Sequence, residues 1–211
     1  MPEPTANLEA IAERIRSALA RKHEAREAAY PLTRNVVRNA ANTIRAVHRL
    51  EFELARDLLT EAKSLLTQIE LATVDHPDLR YTGYVDSAEK EYAEAAITLA
   101  LASGEPLPTP EELGVSEAAY LNGAGEAVGE MRRHLLDALR KGEMARCEQI
   151  LGAMDDIFNV LVTMDFPDAL TGGLRRTTDL ARGILERTRG DFTIASIQAR
   201  LERKLAQVDG A

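Results

Sequence analysis

The sequence predicts an all-α protein, and three observations support that fold class. Apolar residues recur at steps of three and four along nearly the whole chain of 211 residues, which is the spacing of one face of a helix. The eight prolines lie between these apolar patterns, as expected of residues that interrupt helices. Aromatic residues are only 4% of the chain and tryptophan is absent, so aliphatic side chains must fill the core. We therefore expect a single domain of seven helices over residues 1–211.

The N-terminal half predicts three helices, at residues 5–29, 31–72 and 84–102. Each carries an apolar stripe at helical spacing. Tyr30-Pro31 separates the first helix from the second because proline interrupts a helix, and Pro77 lies in the turn before the third. The second helix would be roughly 60 Å long at about 1.5 Å per residue, which indicates an elongated bundle or an oligomer.

The C-terminal half predicts four helices, at residues 116–140, 143–164, 167–189 and 191–208. The segment 103–116 has three prolines and two glycines and is the predicted internal linker before them. Within it, Thr109-Pro110 opens a short capped turn. Glycine follows the fourth and sixth helices, as is typical of helix ends, and Asp191 or Thr193 is predicted to cap the seventh.

The composition narrows the classes of function. The formal net charge is -8, so a polyanion would need basic residues that are segregated on one face. The single cysteine, Cys147, cannot form an intrachain disulfide and fits a reducing compartment. No apolar run approaches the ~18 residues of a membrane span, and the first residues lack the basic start and apolar stretch of a signal peptide. We expect a cytoplasmic protein with no membrane partner.

Two of the predicted helices carry pairs of glutamates that project from one side. The members are three apart on the third helix and four apart on the fourth. They are Glu91 with Glu94, and Glu126 with Glu130. If the helices pair, four carboxylates converge, and these repel one another unless a cation lies among them. Mg²⁺ and Mn²⁺ favour oxygen ligands, so the pattern indicates a carboxylate metal site between two helices.

Periodicity by itself does not bury these glutamates, and two solvated acidic faces are the alternative interpretation. Three glycines crowd the fourth helix, namely Gly123, Gly125 and Gly129. Each costs up to ~1 kcal/mol relative to alanine, and glycine allows a neighbouring backbone or a ligand to come close. Like charges three and four residues apart are also unfavourable unless something neutralises them. Both observations favour the metal site.

Four arginines form one stripe on the second predicted helix, at successive steps of four, seven and four residues. They are Arg34, Arg38, Arg45 and Arg49. Residues 14–49 contain nine basic residues and two acids, which is a clear segregation in a chain of negative net charge. Arginine supplies donors that phosphate oxygens accept. The stripe is therefore a candidate nucleic-acid surface, with an ordinary solvated face as the alternative.

Several motifs in chain order resemble the translin and Trax family. Residues 33–35 and 47–50 resemble the family helix that begins Ser-Arg-Asp and ends in His-Arg. Residues 91–94 resemble the Glu-aromatic-x-Glu motif of Trax. Residues 120–132 are similar to the Trax segment with Tyr-Leu-x-Gly, then Asp, then Gly-Glu-x-x-Arg. The similarity runs in order over about 26–205, which makes the resemblance more specific than any one motif.

The resemblance implies a seven-helix fold that assembles into hollow octamers with RNA inside, and a Mg²⁺-dependent endoribonuclease that acts on single-stranded RNA. Because Trax carries the catalytic acids of this family, the resemblance assigns metal binding and catalysis to Glu91, Glu94, Glu126 and Glu130. Glu126 stands where the family has aspartate, which lengthens one ligand by a methylene. The arginine stripe would position the strand, and His48 and Arg26 are further RNA-binding candidates.

Two other functions stay open at this stage. The first is a non-catalytic oligomer that binds single-stranded RNA or DNA, as the resemblance to translin suggests. The second is an all-α nucleotide pyrophosphohydrolase, since that family also pairs carboxylates on two helices around Mg²⁺. Products formed from single-stranded RNA and from nucleoside triphosphates would separate the three functions.

Overall fold

The computed structural model describes residues 4–209, with side chains described as far as residue 205. This part of the chain contains eight α-helices, one 3-10 turn at Pro77–Leu79 and no strand, which confirms the all-α prediction. Six helices are long and two are single turns. The helices are α1 (Leu8–His48), α2 (Phe52–Thr73), α3 (Gly83–Ser103), α4 (Pro110–Leu113), α5 (Glu117–Arg140), α6 (Met144–Val162), α7 (Asp168–Thr171) and α8 (Leu174–Asp209).

The first helix is longer than predicted. The expected break at Tyr30-Pro31 is wrong, because α1 continues through Pro31 and is 41 residues long in total. A proline inside a helix loses one donor and strains the preceding turn, but the turns that follow are firmly packed and Val36 is fully buried. The chain turns instead at Leu50, inside the predicted second helix, where φ is 62°.

The last helix also continues through a predicted boundary. The expected stop at Gly190 is wrong, and α8 extends across it. A helical glycine costs only about 1 kcal/mol, and the turns on either side are held by the buried Thr188 and Phe192. Asp191 is therefore not a cap but lies inside α8, where its carboxylate accepts a hydrogen bond from Arg132 at 2.7 Å. Thr193, the other predicted cap, also lies inside the helix.

The short helix α4 confirms the predicted capped turn. The Thr109 hydroxyl accepts a hydrogen bond from the backbone N–H of Glu112 at 3.2 Å, and the Glu112 carboxylate accepts one from the Thr109 N–H at 2.8 Å. These reciprocal bonds form a capping box, which satisfies donors that a helix start leaves free. Residues 105–109 before it form no regular element.

The helix packing places α3 in the middle of the fold. It packs against α1, α2 and α5, and α5 in turn packs against α6 and α8. One apolar cluster joins α1, α2 and α3, and a second joins α5, α6 and α8. At Gly123 the two central helices are so close that a Cβ atom would lie 2.8 Å from the backbone nitrogen of Glu94 and 2.9 Å from the carbonyl oxygen of Lys90. Glycine at this position therefore sets the distance between α3 and α5.

Two parts of the long helices extend beyond this packing. The first half of α1 and the last part of α8 are mostly exposed. Large apolar side chains stay exposed on them, including Leu8, Ile15, Leu19, Ile194, Leu201 and Leu205. Among the described helices, none has the length and hydropathy needed to cross a bilayer.

Candidate metal centre and nucleic-acid interface

Three of the four predicted acids converge where α3 packs against α5. Glu91 and Glu94 project from α3 and Glu126 from α5, and one carboxylate oxygen of each lies within 4.8 Å of the others. We call these three residues the acid cluster. Glu94 is buried, with 8% of its surface exposed, while Glu91 and Glu126 are half-buried. The helical period could not predict the burial of Glu94, because α3 is covered on several sides.

Crowding of negative charge changes the ionisation of Glu94. Burial, and then the charges of Glu126, Glu91 and Glu130 in that order, together raise the pKa of Glu94 to about 8. A carboxylate loses hydration when it is buried, and neighbouring anions repel it. The Glu94 carboxyl therefore holds a proton near neutral pH unless a cation compensates its charge.

Lys90 supplies one such cation, and sequence reasoning missed it. Its Nζ donates hydrogen bonds to both carboxylate oxygens of Glu126, at 2.7 and 2.6 Å, and lies 3.3 Å from Glu91 Oε1. Burial opposes the charged form, but the hydrogen bond from Lys90 to Glu126 and the two carboxylate charges raise the pKa of Lys90 overall. No spacing within α3 signals this pairing, because Glu126 lies on α5.

Glu130 does not join the acid cluster. Its carboxylate lies 2.6 Å from Nε2 of His48 on α1, and this hydrogen bond is the main reason that the pKa of Glu130 is lowered. The predicted RNA contact by His48 needs correction as well. Only 5% of the His48 side chain is exposed, so it offers little surface to a strand. His48 instead joins the end of α1 to α5 beside the acid cluster.

The four arginines of the predicted stripe are all exposed on the last turns of α1 and just after it. Arg38 and Arg45 each donate a hydrogen bond to the asparagine three residues earlier, which orients these guanidinium groups along the helix. Arg49 pairs with Glu51 at 2.8 Å. The stripe comprises Arg34, Arg38, Arg45 and Arg49, and its last two members flank His48 in sequence. The stripe therefore ends on the same part of α1 from which His48 contacts Glu130.

Arg26 lies earlier on α1, in an aromatic setting. Its guanidinium carbon lies 5.3 Å from the ring centroid of Tyr30 and 5.8 Å from that of Tyr84. Both distances are within the range of a cation–π interaction. Arg26 also pairs with Glu27, so these contacts hold its side chain against the protein surface.

Comparison with solved structures identifies the fold and the family. The chain superposes on AfC3PO in complex with duplex RNA with a TM-score of 0.83 and 34% sequence identity, over 90% of this chain and 98% of AfC3PO. A second AfC3PO structure gives a TM-score of 0.81 at the same identity and coverage. The chain belongs to the translin/Trax family. The predicted all-α translin-like fold is therefore confirmed, although the described residues form eight α-helices, two of them single turns, where seven were predicted.

Two further comparisons are consistent with this family. The structure of apo-NeC3PO has a TM-score of 0.75 at 19% identity, over 90% of this chain and 97% of NeC3PO, and so shares the fold. The uncharacterized protein MJ0175 of Methanocaldococcus jannaschii is 29% identical over 193 residues, which cover 90% of this chain and 85% of that protein. No protein-family model matches the chain.

The donor set of this translin/Trax-family chain fits a hard divalent cation. The three side chains of the acid cluster, Glu91, Glu94 and Glu126, offer only carboxylate oxygens. Mg²⁺ and Mn²⁺ prefer such ligands, whereas the softer metals favour thiolate or imidazole. The raised pKa of Glu94 points the same way, since a cation would compensate the charge that this buried carboxyl resists.

Proposed function

We propose that this chain is a metal-dependent endoribonuclease that cleaves single-stranded RNA as a homo-oligomer. The observation that carries the proposal is the acid cluster, three carboxylates held within 4.8 Å of one another by two central helices. Membership of the translin/Trax family supports RNA as the ligand, because the relative AfC3PO, at 34% identity, forms a complex with duplex RNA.

The acid cluster would hold Mg²⁺ or Mn²⁺, and each of its residues has a separate role. Glu94 is the buried ligand, and the close approach of α5 at Gly123 keeps its backbone in place. Glu91 and Glu126 are the half-buried ligands that face the strand. A metal ion at this position would lower the pKa of a bound water and offset charge on the reacting phosphate. Glu130, held by His48 at 2.6 Å, is the fourth acid beside them.

Lys90 would neutralise the acid cluster while no metal is bound. It has to release its two hydrogen bonds to Glu126 before both oxygens of that carboxylate can serve a cation. The ammonium group then becomes free to contact solvent or a phosphate on a flexible four-carbon stem. Metal binding by this chain is thus an exchange of one cation for another.

The arginine stripe and the exposed apolar side chains support the remaining parts of the proposal. Arg34, Arg38 and Arg45 present exposed guanidinium groups on α1 that would bind backbone phosphates of the strand. The apolar residues on the extensions of α1 and α8, such as Leu19 and Leu205, stay exposed in the single chain. Exposed apolar surface would be buried by association with further copies of the chain, and an octamer is the expected assembly.

The test compares three substrates with and without Mg²⁺. Wild type, Glu126→Gln and the control Glu61→Gln, which changes an exposed glutamate of α2, are incubated with labelled single-stranded RNA, the matching duplex and nucleoside triphosphates. We expect fragments from the single strand with wild type and the control, no fragments with chelator, and at least tenfold slower cleavage by Glu126→Gln.

Other products would change the assignment. Binding of RNA by all three proteins without any fragments would indicate the non-catalytic function. Pyrophosphate from triphosphates would indicate a nucleotide pyrophosphohydrolase. Equal cleavage by Glu126→Gln and wild type would show that the acid cluster is not the active site. Light scattering on the same samples tests self-association. A monomeric protein would refute the proposed homo-oligomer.

A further inference from the structure

A groove of about 840 Å³ opens at the far ends of α1, α3 and α5, about 12 Å along α3 and α5 from the acid cluster. We call it the end groove. Its walls come from the α1–α2 connection around Leu50, the last turns of α5 and the turn into α6 at Gly142. Its volume lies within the range of ligand sites in proteins, about 300–1,000 Å³. None of the functional residues predicted from sequence accounts for it except His48, which lies in its wall.

The end groove is basic although the chain as a whole is acidic. Two arginines, one lysine and two histidines line it against two acids, Asp137 and Glu143. The basic residues are Arg140, Lys141, Arg146, His134 and His48. In a chain of net charge -8, such segregation creates a local positive potential that attracts anions.

Hydrogen bonds inside the end groove hold part of this charge in place. Arg146 donates a hydrogen bond to the carbonyl oxygen of Ala102 at 2.6 Å, which ties the start of α6 to the end of α3. Burial and then the charge of Arg146 lower the pKa of His134, as expected where cations are gathered. Arg140 and Lys141 are exposed, and Arg140 forms only a long ion pair with Asp137, at 3.7 Å, which an anionic ligand would have to displace.

His48 connects the end groove with the acid cluster. On one side its Nε2 lies 2.6 Å from Glu130. Its other ring nitrogen, Nδ1, is buried and has no hydrogen-bond partner among the described residues. A buried polar atom without a partner costs free energy and calls for an explanation. His48 therefore shapes the wall of the end groove and does not offer a free donor to a ligand.

We infer that the end groove is a phosphate-binding subsite that holds the RNA strand one or more nucleotides away from the acid cluster. Phosphate oxygens are acceptors that arginine and lysine bind well. The strand would then run from the acid cluster to the end groove, with one phosphate at the acid cluster and another between Lys141 and Arg146. The identity of the ligand as RNA rests on the proposed function, whereas the anion site itself rests on the groove.

The experiment measures RNA binding by fluorescence anisotropy in chelator, so that no cleavage occurs. The test variant is Arg140→Ala/Lys141→Ala. The matched control is Arg203→Ala/Lys204→Ala, which removes an exposed Arg-Lys pair of the same charge from the last part of α8, outside the residues that line the groove. A third variant, Arg140→Lys/Lys141→Arg, keeps the charge. Circular dichroism and light scattering verify that fold and assembly match the wild type.

We expect the test variant to bind a short single strand at least tenfold more weakly, with a salt dependence flatter by about 0.7 log–log units for each phosphate that the variant no longer binds. The control and the charge-conserving variant should bind like the wild type. Strands with a 5′-phosphate and with a 5′-hydroxyl separate the two sources of phosphate. If the variant weakens binding of the 5′-phosphorylated strand alone, the groove binds the terminal phosphate. If it weakens binding of both strands equally, the groove binds an internal phosphate.

Two results would overturn the inference. One is a test variant with wild-type affinity and salt dependence. The other is an equal weakening of RNA binding in the Arg203→Ala/Lys204→Ala control. That result would show that the loss of affinity follows from the net charge of the protein and not from the groove. Failure of the proposed function is distinguishable, because an inactive wild type can still show selectively weakened binding in the groove variant. Conversely, if wild type cleaves RNA and the groove variant binds RNA like wild type, the phosphate-binding subsite is refuted while the proposed function stands.

Discussion

Glu94→Gln should stabilise the metal-free protein at alkaline pH. The Glu94 carboxyl ionises near pH 8 in the folded chain, well above the ordinary value of about 4.5 for the unfolded chain. Between these two pH values the folded state binds one proton more than the unfolded state. Stability is therefore lost as the pH rises from about 4.5 to 8, and the whole loss is present above about pH 8. Glutamine cannot ionise, so the variant avoids this loss.

The size of the effect follows from the width of that pH window. At ~1.4 kcal/mol for each pH unit between the two ionisations, the wild type loses at most roughly 5 kcal/mol. Relaxation around the charge and the nearby Lys90 reduce this, so we expect a gain of about 2–4 kcal/mol for Glu94→Gln at pH 8.5. For a chain of this length, each kcal/mol shifts the melting temperature by about 2–4 °C. The variant should therefore melt roughly 5–15 °C above wild type.

The assay is thermal unfolding followed by circular dichroism, in chelator, at pH 5.5 and pH 8.5. Wild type should lose melting temperature between the two pH values, Glu94→Gln should lose much less, and the exposed control Glu61→Gln should follow wild type. Mg²⁺ should raise the melting temperature of wild type at pH 8.5 more than that of Glu94→Gln, because a ligand that binds the folded state stabilises it. Parallel pH profiles for wild type and Glu94→Gln would refute the burial of an ionisable carboxyl at this site.

Three further outcomes are expected. Replacing Arg34, Arg38 and Arg45 with alanine should weaken RNA binding. It should also flatten the salt dependence of the affinity by about 0.7 log–log units for each phosphate no longer bound. Unchanged anisotropy titrations would show that the stripe is only a solvated face. Lys90→Met should bind Mn²⁺ about 5- to 30-fold more tightly than wild type in calorimetry. The reason is that the hydrogen bonds from Lys90 to Glu126, of ~1–2 kcal/mol, no longer compete with the metal. Equal affinity would contradict the exchange of Lys90 for the metal ion. Gly123→Ala should lower stability by about 1–3 kcal/mol in thermal unfolding, since its Cβ would meet the α3 backbone within 3 Å. Gly152→Ala, with open space around it, is the control and should not destabilise.

The sequence by itself determined the features that depend on neighbours along the chain. The helical period predicted an all-α fold, and Thr109-Pro110 predicted a short capped turn, which the structure forms as a capping box. The spacing of Glu91 and Glu94 placed both carboxylates on one side of α3. Each of these rests on local geometry, because residues three and four apart in a helix are neighbours whatever the rest of the fold does.

Only the tertiary structure decided which local signals are overridden. Pro31 and Gly190 are both helix-breaking residues by intrinsic preference, yet α1 and α8 pass through them. The penalty of each is a few kcal/mol at most. Burial of the turns around them, as at Val36 and Phe192, opposes that penalty, and burial depends on partners distant in sequence.

The composition of the acid cluster was likewise decided by packing. The close approach of α3 and α5 at Gly123 brings Glu126 beside Glu94 and admits Lys90 as a counter-ion, while His48 on α1 draws Glu130 aside. No spacing within one helix encodes these pairings, because each joins residues on different helices. Electrostatic interactions fall off with distance and depend on burial, so the charge state of the site follows from the assembled fold.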